Sequence, residues 1–70
     1  MNKRLDEALA RVKALPDEQR HVFILRDVEG MTYEQISEIT GDSLSAVKSR
    51  LHRARLAMRA AIDRYYQGET

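Results

Sequence analysis

The residues best suited to chemistry in this 70-residue sequence stand close together in its second half. Between Ser43 and Ile62 there are five basic residues and no acidic one. A helix that turns about 100° per residue puts Ser45, Lys48, Ser49, His52 and Arg53 across one side. Lysine and arginine can bond the acceptor edge of guanine, while serine and histidine can bond base edges or phosphates. The N-terminal half of a recognition helix is the part that enters a major groove. Arg55 and Arg59 fall toward the flanks of the same side, where the phosphates of a groove wall would lie.

The opposite side of that helix reads as apolar. Leu44, Val47, Leu51, Ala54, Met58 and Ile62 share one sector, so the segment has a face to bury and a face to present. Support comes from earlier in the chain. Tyr33 and Glu34 occupy the first turn of a short preceding helix, where backbone N–H groups attract anions. Tyr33 can donate to a phosphate, and Glu34 can accept from a cytosine amino group. Arg26 is placed to add a phosphate contact, its alternative being an ion pair with Asp27 or Glu29.

The charge distribution agrees with an oriented contact. Residues 1–47 hold six Lys/Arg against nine Asp/Glu, a net of −3, and residues 48–70 hold six against two, a net of +4. A near-neutral average with one basic end points to a polyanion met from one direction.

Four helices are needed to position these groups, and their boundaries can be read. The first spans about 2–14, with Leu5, Ala8, Leu9 and Val12 on one stripe. It ends at Leu15-Pro16, because the residue before proline avoids the helical region. Pro16 then opens a second helix over about 17–29, with Asp17 and Glu18 at its positive end. Val22, Leu25 and Val28 lie along it, and Gly30 stops it. Phe23 and Ile24 widen its apolar surface beyond one face. They are either a core that uses two sides of the helix or a patch for a partner helix. The third helix spans 33–40, capped by Thr32 with Gln35 three positions on, as a capping box requires. Its inward residues are Ile36 and Ile39. Gly41 ends it, and Asp42 or Ser43 caps a fourth helix over about 44–65. Leu56 faces away from the core sector. The sequence is therefore all-α, one four-helix domain over 1–70, with a short helix, a tight turn and a longer helix in the helix-turn-helix plan.

Several function classes are disfavoured. There is no cysteine, so neither a disulfide nor a thiolate metal site is available. No His/Asp/Glu grouping has metal-ligand spacing, and no glycine-rich phosphate loop occurs. Neither a metal, a cofactor nor a catalytic residue is expected. No apolar run is long enough for a membrane span, and Met1 to Leu5 is not followed by the apolar stretch of a signal peptide. A cytoplasmic, non-enzymatic, membrane-independent protein is expected.

The stretch LPDEQRHVFILRDVEGMTYEQISEITGDSLSAVKSRLHRARLAM, Leu15 to Met58, resembles region 4 of the extracytoplasmic-function group of sigma-70-type sigma factors. Leu15-Pro16, EGMTYEQI at Glu29–Ile36 and VKSRLHRAR at Val47–Arg55 carry the likeness. The resemblance implies a winged-helix-like fold without a wing. It also implies recognition of the minus-35 promoter element in double-stranded DNA and docking on the beta flap of core RNA polymerase. Capture by an anti-sigma factor is a further implied interaction. Carried over by motif, Lys48, Ser49, His52 and Arg53 face bases or adjacent phosphates, and Arg26, Tyr33, Glu34 and Arg55 support them. Many members have Pro-Val-Gly-Thr where this chain has Ser43-Leu44-Ser45-Ala46, so the helix entry presents a different surface. A full factor of this group also carries a minus-10-binding domain outside these 70 residues. Two other readings share parts of the pattern: the effector domain of a response regulator, and a protein-interaction module that uses the first two helices.

Overall fold

In a computed structural model of the chain, residues Lys3–Gln67 are described. They form α1 (Lys3–Ala14), α2 (Asp17–Phe23) continued by a π-helical segment (Ile24–Val28), α3 (Tyr33–Thr40) and α4 (Leu44–Gln67). The described residues are all helix and turn.

Local chemistry sets the boundaries. Pro16 precedes the first turn of α2, where Asp17 and Glu18 meet the positive end of the helix. Arg20 ties this corner down: Nη2 donates to Asp17 Oδ1 at 2.7 Å and Nη1 donates to the Lys13 carbonyl at 3.1 Å. The capping box at the start of α3 is complete. Gln35 N donates to Thr32 Oγ1 at 3.1 Å, and Thr32 N donates to Gln35 Oε1 at 2.9 Å. Gly30 and Gly41 both adopt left-handed backbone, φ 74 and 77, which a Cβ would strain. The cap of α4 is Ser43: its Oγ accepts from Ala46 N at 3.2 Å.

The second helix departs from the expected uninterrupted α-helix over 17–29. From Ile24 onward the bonds widen, and Glu29 N donates to Ile24 O at 3.0 Å, an i→i+5 closure. The extra residue in that turn rotates Val28 outward, so this expected core residue is 70 % exposed. Met31 takes its place. Its N–H reaches Leu25 O at 3.0 Å, and its side chain packs on the core.

Two apolar clusters share α4 as their spine. Val22, Leu25, Ile36, Val47 and Leu51 make the first, flanked by Phe23, Met31 and Tyr33. Leu15, Ala54 and Met58 make the second, flanked by Val12 and Phe23. Phe23 touches both clusters. Each aliphatic side chain buried this fully stabilises the fold by roughly 1.5–3 kcal/mol.

The domain is too thin to cover every apolar residue assigned to the core. Leu9, Ile39 and Leu44 are exposed. Ile39 is outside because α3 packs along Tyr33, Ile36, Ser37 and Thr40. The two hydroxyls on that stripe are satisfied by Thr40 Oγ1 donating to Ile36 O at 2.9 Å and Ser37 Oγ donating to Asp42 O at 2.5 Å. Leu44 lies ahead of Val47, the first α4 residue that the core covers. Leu56 is exposed, as its place on the helix requires. Leu5, Ala8 and Ile62, also assigned to the core, lie outside the residues whose side chains are described. Among the described residues no helix is long and apolar enough to cross a membrane.

Candidate nucleic-acid interface

The two-sided character of α4 is present in three dimensions. Val47 is 0 % and Leu51 2 % exposed, with Ala54 and Met58 buried below them. Ser45, Lys48, Ser49, His52 and Arg53 are all exposed on the other side, together with Arg59. Neither Lys48, Arg53 nor Arg59 is paired with an acid among the described residues. The outward surface is uncovered, cationic and rich in small donors. Ser45 Oγ lies 3.3 Å from Ser43 Oγ, so the helix entry carries two coupled hydroxyls.

A second cationic group gathers at the N-terminus of α3. The Tyr33 ring is half-buried, with the Arg26 guanidinium 4.9 Å and the Lys48 ammonium 5.5 Å from its centroid. Cations at these distances are attracted by the face of the ring. Arg26 is fixed further by Nη1 donating to the Met31 carbonyl at 2.7 Å. The π turn thus places Arg26 against the loop instead of directing it at Glu29. Residues from the π segment, α3 and α4 converge where the first turn of α3 has free N–H groups. Glu34 stands exposed in that turn.

Arg55 behaves differently from the other supporting residues. Its Nε donates to Asp27 Oδ2 at 2.9 Å and its Nη2 donates to Asp27 Oδ1 at 2.5 Å. This fork holds the Asp27 carboxyl below its ordinary 3.8, chiefly through the hydrogen bonds from Arg55, against an opposing cost of partial burial. The Arg55 charge is strengthened in return, first by Asp27 and to a smaller extent by the Tyr33 side chain. The fork leaves Nη1 uncommitted to Asp27.

Phe23 and Ile24 are both half-buried. Phe23 serves both core clusters and also helps floor an open groove of about 460 Å³ with Met58. Asp27, Arg55, Arg59 and Asp63 rim that groove.

Arg50 is a functional candidate that the helical pattern alone did not single out. Its Nη1 pairs with Asp42 Oδ2, and its Nε lies 3.4 Å from Glu18 Oε2. Two signals for it were present. It falls about 60° from Val47 on the helix, toward the core, and an acid stands eight positions before it in the turn.

Comparison with known proteins agrees with this geometry. The family model described as "Sigma-70, region 4" matches residues 5–58. The RNA polymerase sigma factor YlaC of Bacillus subtilis is 49 % identical over 45 residues, 64 % of this chain and 26 % of that protein. The ECF RNA polymerase sigma factor SigE of Mycolicibacterium smegmatis is 42 % identical over 50 residues, 71 % of this chain and 20 % of its own length. The ECF RNA polymerase sigma-E factor of Escherichia coli is 36 % identical over 47 residues, 67 % of this chain and 25 % of its own length. The matched stretch is thus about a quarter or less of each relative. No solved structure gives a match. The chain belongs to the sigma-70 region 4 family, within its extracytoplasmic-function branch.

Proposed function

We propose that this domain reads the minus-35 element of promoter DNA for a sigma factor that directs RNA polymerase to transcription initiation in the cytoplasm. The observation that carries this reading is the division of α4, with Val47 and Leu51 buried and Ser45, Lys48, Ser49, His52 and Arg53 exposed together. In this reading the first three turns of α4 lie in the major groove. Arg53 and Lys48 address guanine edges, and Ser49 and His52 bond bases or nearby phosphates. Arg26 and Tyr33, at the positive end of α3, hold one strand of the backbone. Arg59 and the part of Arg55 not engaged by Asp27 extend that backbone contact along α4, and Glu34 accepts from a base amino group.

RNA polymerase is the second partner. A docked helix from the beta flap needs an apolar seat, and the groove floored by Phe23 and Met58 supplies one. An anti-sigma factor competes for the same surface. The domain is non-catalytic in this account.

The test is selection from a pool of randomised duplexes by the 70-residue chain at low salt. Enrichment of one short element, with affinity that falls steeply as salt rises, is expected. Salt-dependent binding with no enrichment would leave only general polyanion attraction. Tight binding of core polymerase with no DNA binding would favour the protein-interaction reading instead.

A further inference from the structure

We propose that Arg50 is a positioning residue: it holds the first turns of α4 at a fixed angle to α2 and so aims Ser45, Lys48 and Ser49, without touching DNA itself. The proposal rests on the reading of α4 as the DNA-reading helix. Its structural half stands independently of that reading.

One guanidinium joins three segments. Arg50, in the second turn of α4, reaches Asp42 in the turn before α4 and Glu18 in the first turn of α2. Its side chain is only 26 % exposed. The turn is otherwise tied to its own neighbours. Gly41 N donates to Ser37 O at 2.9 Å, Asp42 N to Thr40 Oγ1 at 3.3 Å and Ser37 Oγ to Asp42 O at 2.5 Å. These bonds fasten the turn to α3 but not to α2, which the core reaches from Val47 onward. Among the described residues two ion pairs join α4 to the second helix, Arg55 with Asp27 at its π-helical end and Arg50 with Glu18 at its start, and the second is the one at the opening turns of α4. A planar fork can serve two carboxylates in fixed directions, which a lysine ammonium cannot.

Direction argues against a DNA contact. Arg50 lies about 160° around the helix from Lys48 and from His52, and although Arg53 is only about 60° away, the Arg50 guanidinium is turned to Asp42 and Glu18. Stability is a weak reason for the Glu18 arm, because an ion pair to so exposed a carboxylate contributes little. Base readout, by contrast, needs donors held within about 0.5 Å and 10–20° of their bonding geometry. The helix entry, Ser43-Leu44-Ser45-Ala46, holds no proline to fix its backbone. The Asp42–Arg50 pair stands beside that position and supplies rigidity by another route.

The test uses Arg50→Met, Asp42→Asn, Glu18→Gln and the charge-swapped pair Arg50→Asp with Asp42→Arg, in the 70-residue chain. One readout is amide hydrogen exchange without DNA. The other is affinity for a duplex selected by the unmodified chain and for a shuffled duplex of equal composition. In Arg50→Met, exchange across residues 42–47 is expected to quicken about tenfold, while the amides of Val22, Ile36 and Leu51 hold. Affinity for the selected duplex should fall about tenfold, with the shuffled duplex and the salt slope unchanged. The swapped pair rebuilds the Asp42 arm but sets a carboxylate against Glu18, so it should recover both readouts only in part. Equal loss on the two duplexes, with the slope lowered by about one, would make Arg50 a phosphate contact and overturn the proposal. Uniform quickening of every amide would reduce it to a general prop, and no change in either readout would leave the clasp without effect. Should Arg50→Met not fold, Asp42→Asn and Glu18→Gln each keep one arm and decide by the same readouts. If the unmodified chain selects no duplex, the promoter reading fails while exchange still judges the clasp.

Discussion

Asp27 and Arg55 stand 28 positions apart in sequence and meet through two parallel hydrogen bonds, 2.9 and 2.5 Å long. The fork bolts the π segment to the middle of α4. It forms because the π turn brings Asp27 round to face α4. The same turn sets Arg26 over Tyr33, so one local irregularity organises both sides of the basic surface.

The pair has a pH signature. The folded Asp27 carboxyl lies below its ordinary 3.8, so its contribution is complete above that value and is lost as pH falls through the folded value. The Arg55 side chain is 49 % exposed, which limits the pair to about 0.5–1 kcal/mol. The stability difference between the unmodified chain and Asp27→Asn should therefore be largest near neutral pH and shrink below about pH 4. Urea unfolding at several pH values checks this. A difference that grows on acidification would contradict the assignment.

Arg53→Ala should weaken binding to the selected duplex by about 1–3 kcal/mol and relax preference at one base pair. Lys48→Ala removes a cation from both the groove and the Tyr33 ring, so it should weaken selected and shuffled duplexes more evenly. Anisotropy titrations against both duplexes separate the two patterns. A uniform loss for Arg53→Ala would move it from the bases to the backbone.

Arg26→Ala should lower the log–log salt slope by about one, the mark of one lost phosphate contact. Arg55→Ala should lower it by less, since two nitrogens of that guanidinium are already engaged by Asp27. Equal slopes for the two variants would show that the fork opens on DNA.

Leu51→Ala should cost about 2–5 kcal/mol, because it empties a site at the centre of the first cluster. A chain of this length has a total stability of only about 3.5–10 kcal/mol. Circular dichroism melts should show the variant largely unfolded or strongly destabilised near room temperature. Leu56→Ala, on the exposed side, should melt within a few degrees of the parent.

Much of this architecture was legible in the residues because its signals are local. Thr32 with Gln35, Gly30, Gly41 and Leu15-Pro16 act within a few positions, and each boundary they imply is present. The buried ridge of Val47, Leu51, Ala54 and Met58 follows from one period. What stayed hidden depends on contacts between distant segments. No composition marks the i→i+5 bond at Ile24, so Val28 read as core and Met31 did not. Ile39 and Leu44 are apolar, but no neighbouring layer exists to cover them. Arg50 looked like one more cation in a basic run, because Glu18 lies 32 positions away in sequence. The outward set on α4 was readable as a set, whereas the commitment of Arg55 to Asp27 required coordinates.

On the function proposed above, the exposed side of α4 is the surface that reads DNA. The most direct test follows backbone amide resonances of the isotope-labelled chain during titration with the selected duplex. The largest changes should fall on Ser45, Lys48, Ser49, His52 and Arg53, with a second group at Thr32–Glu34 and little change along α1. Changes confined to α1 and to the groove around Phe23, with residues 45–53 unmoved, would contradict the account.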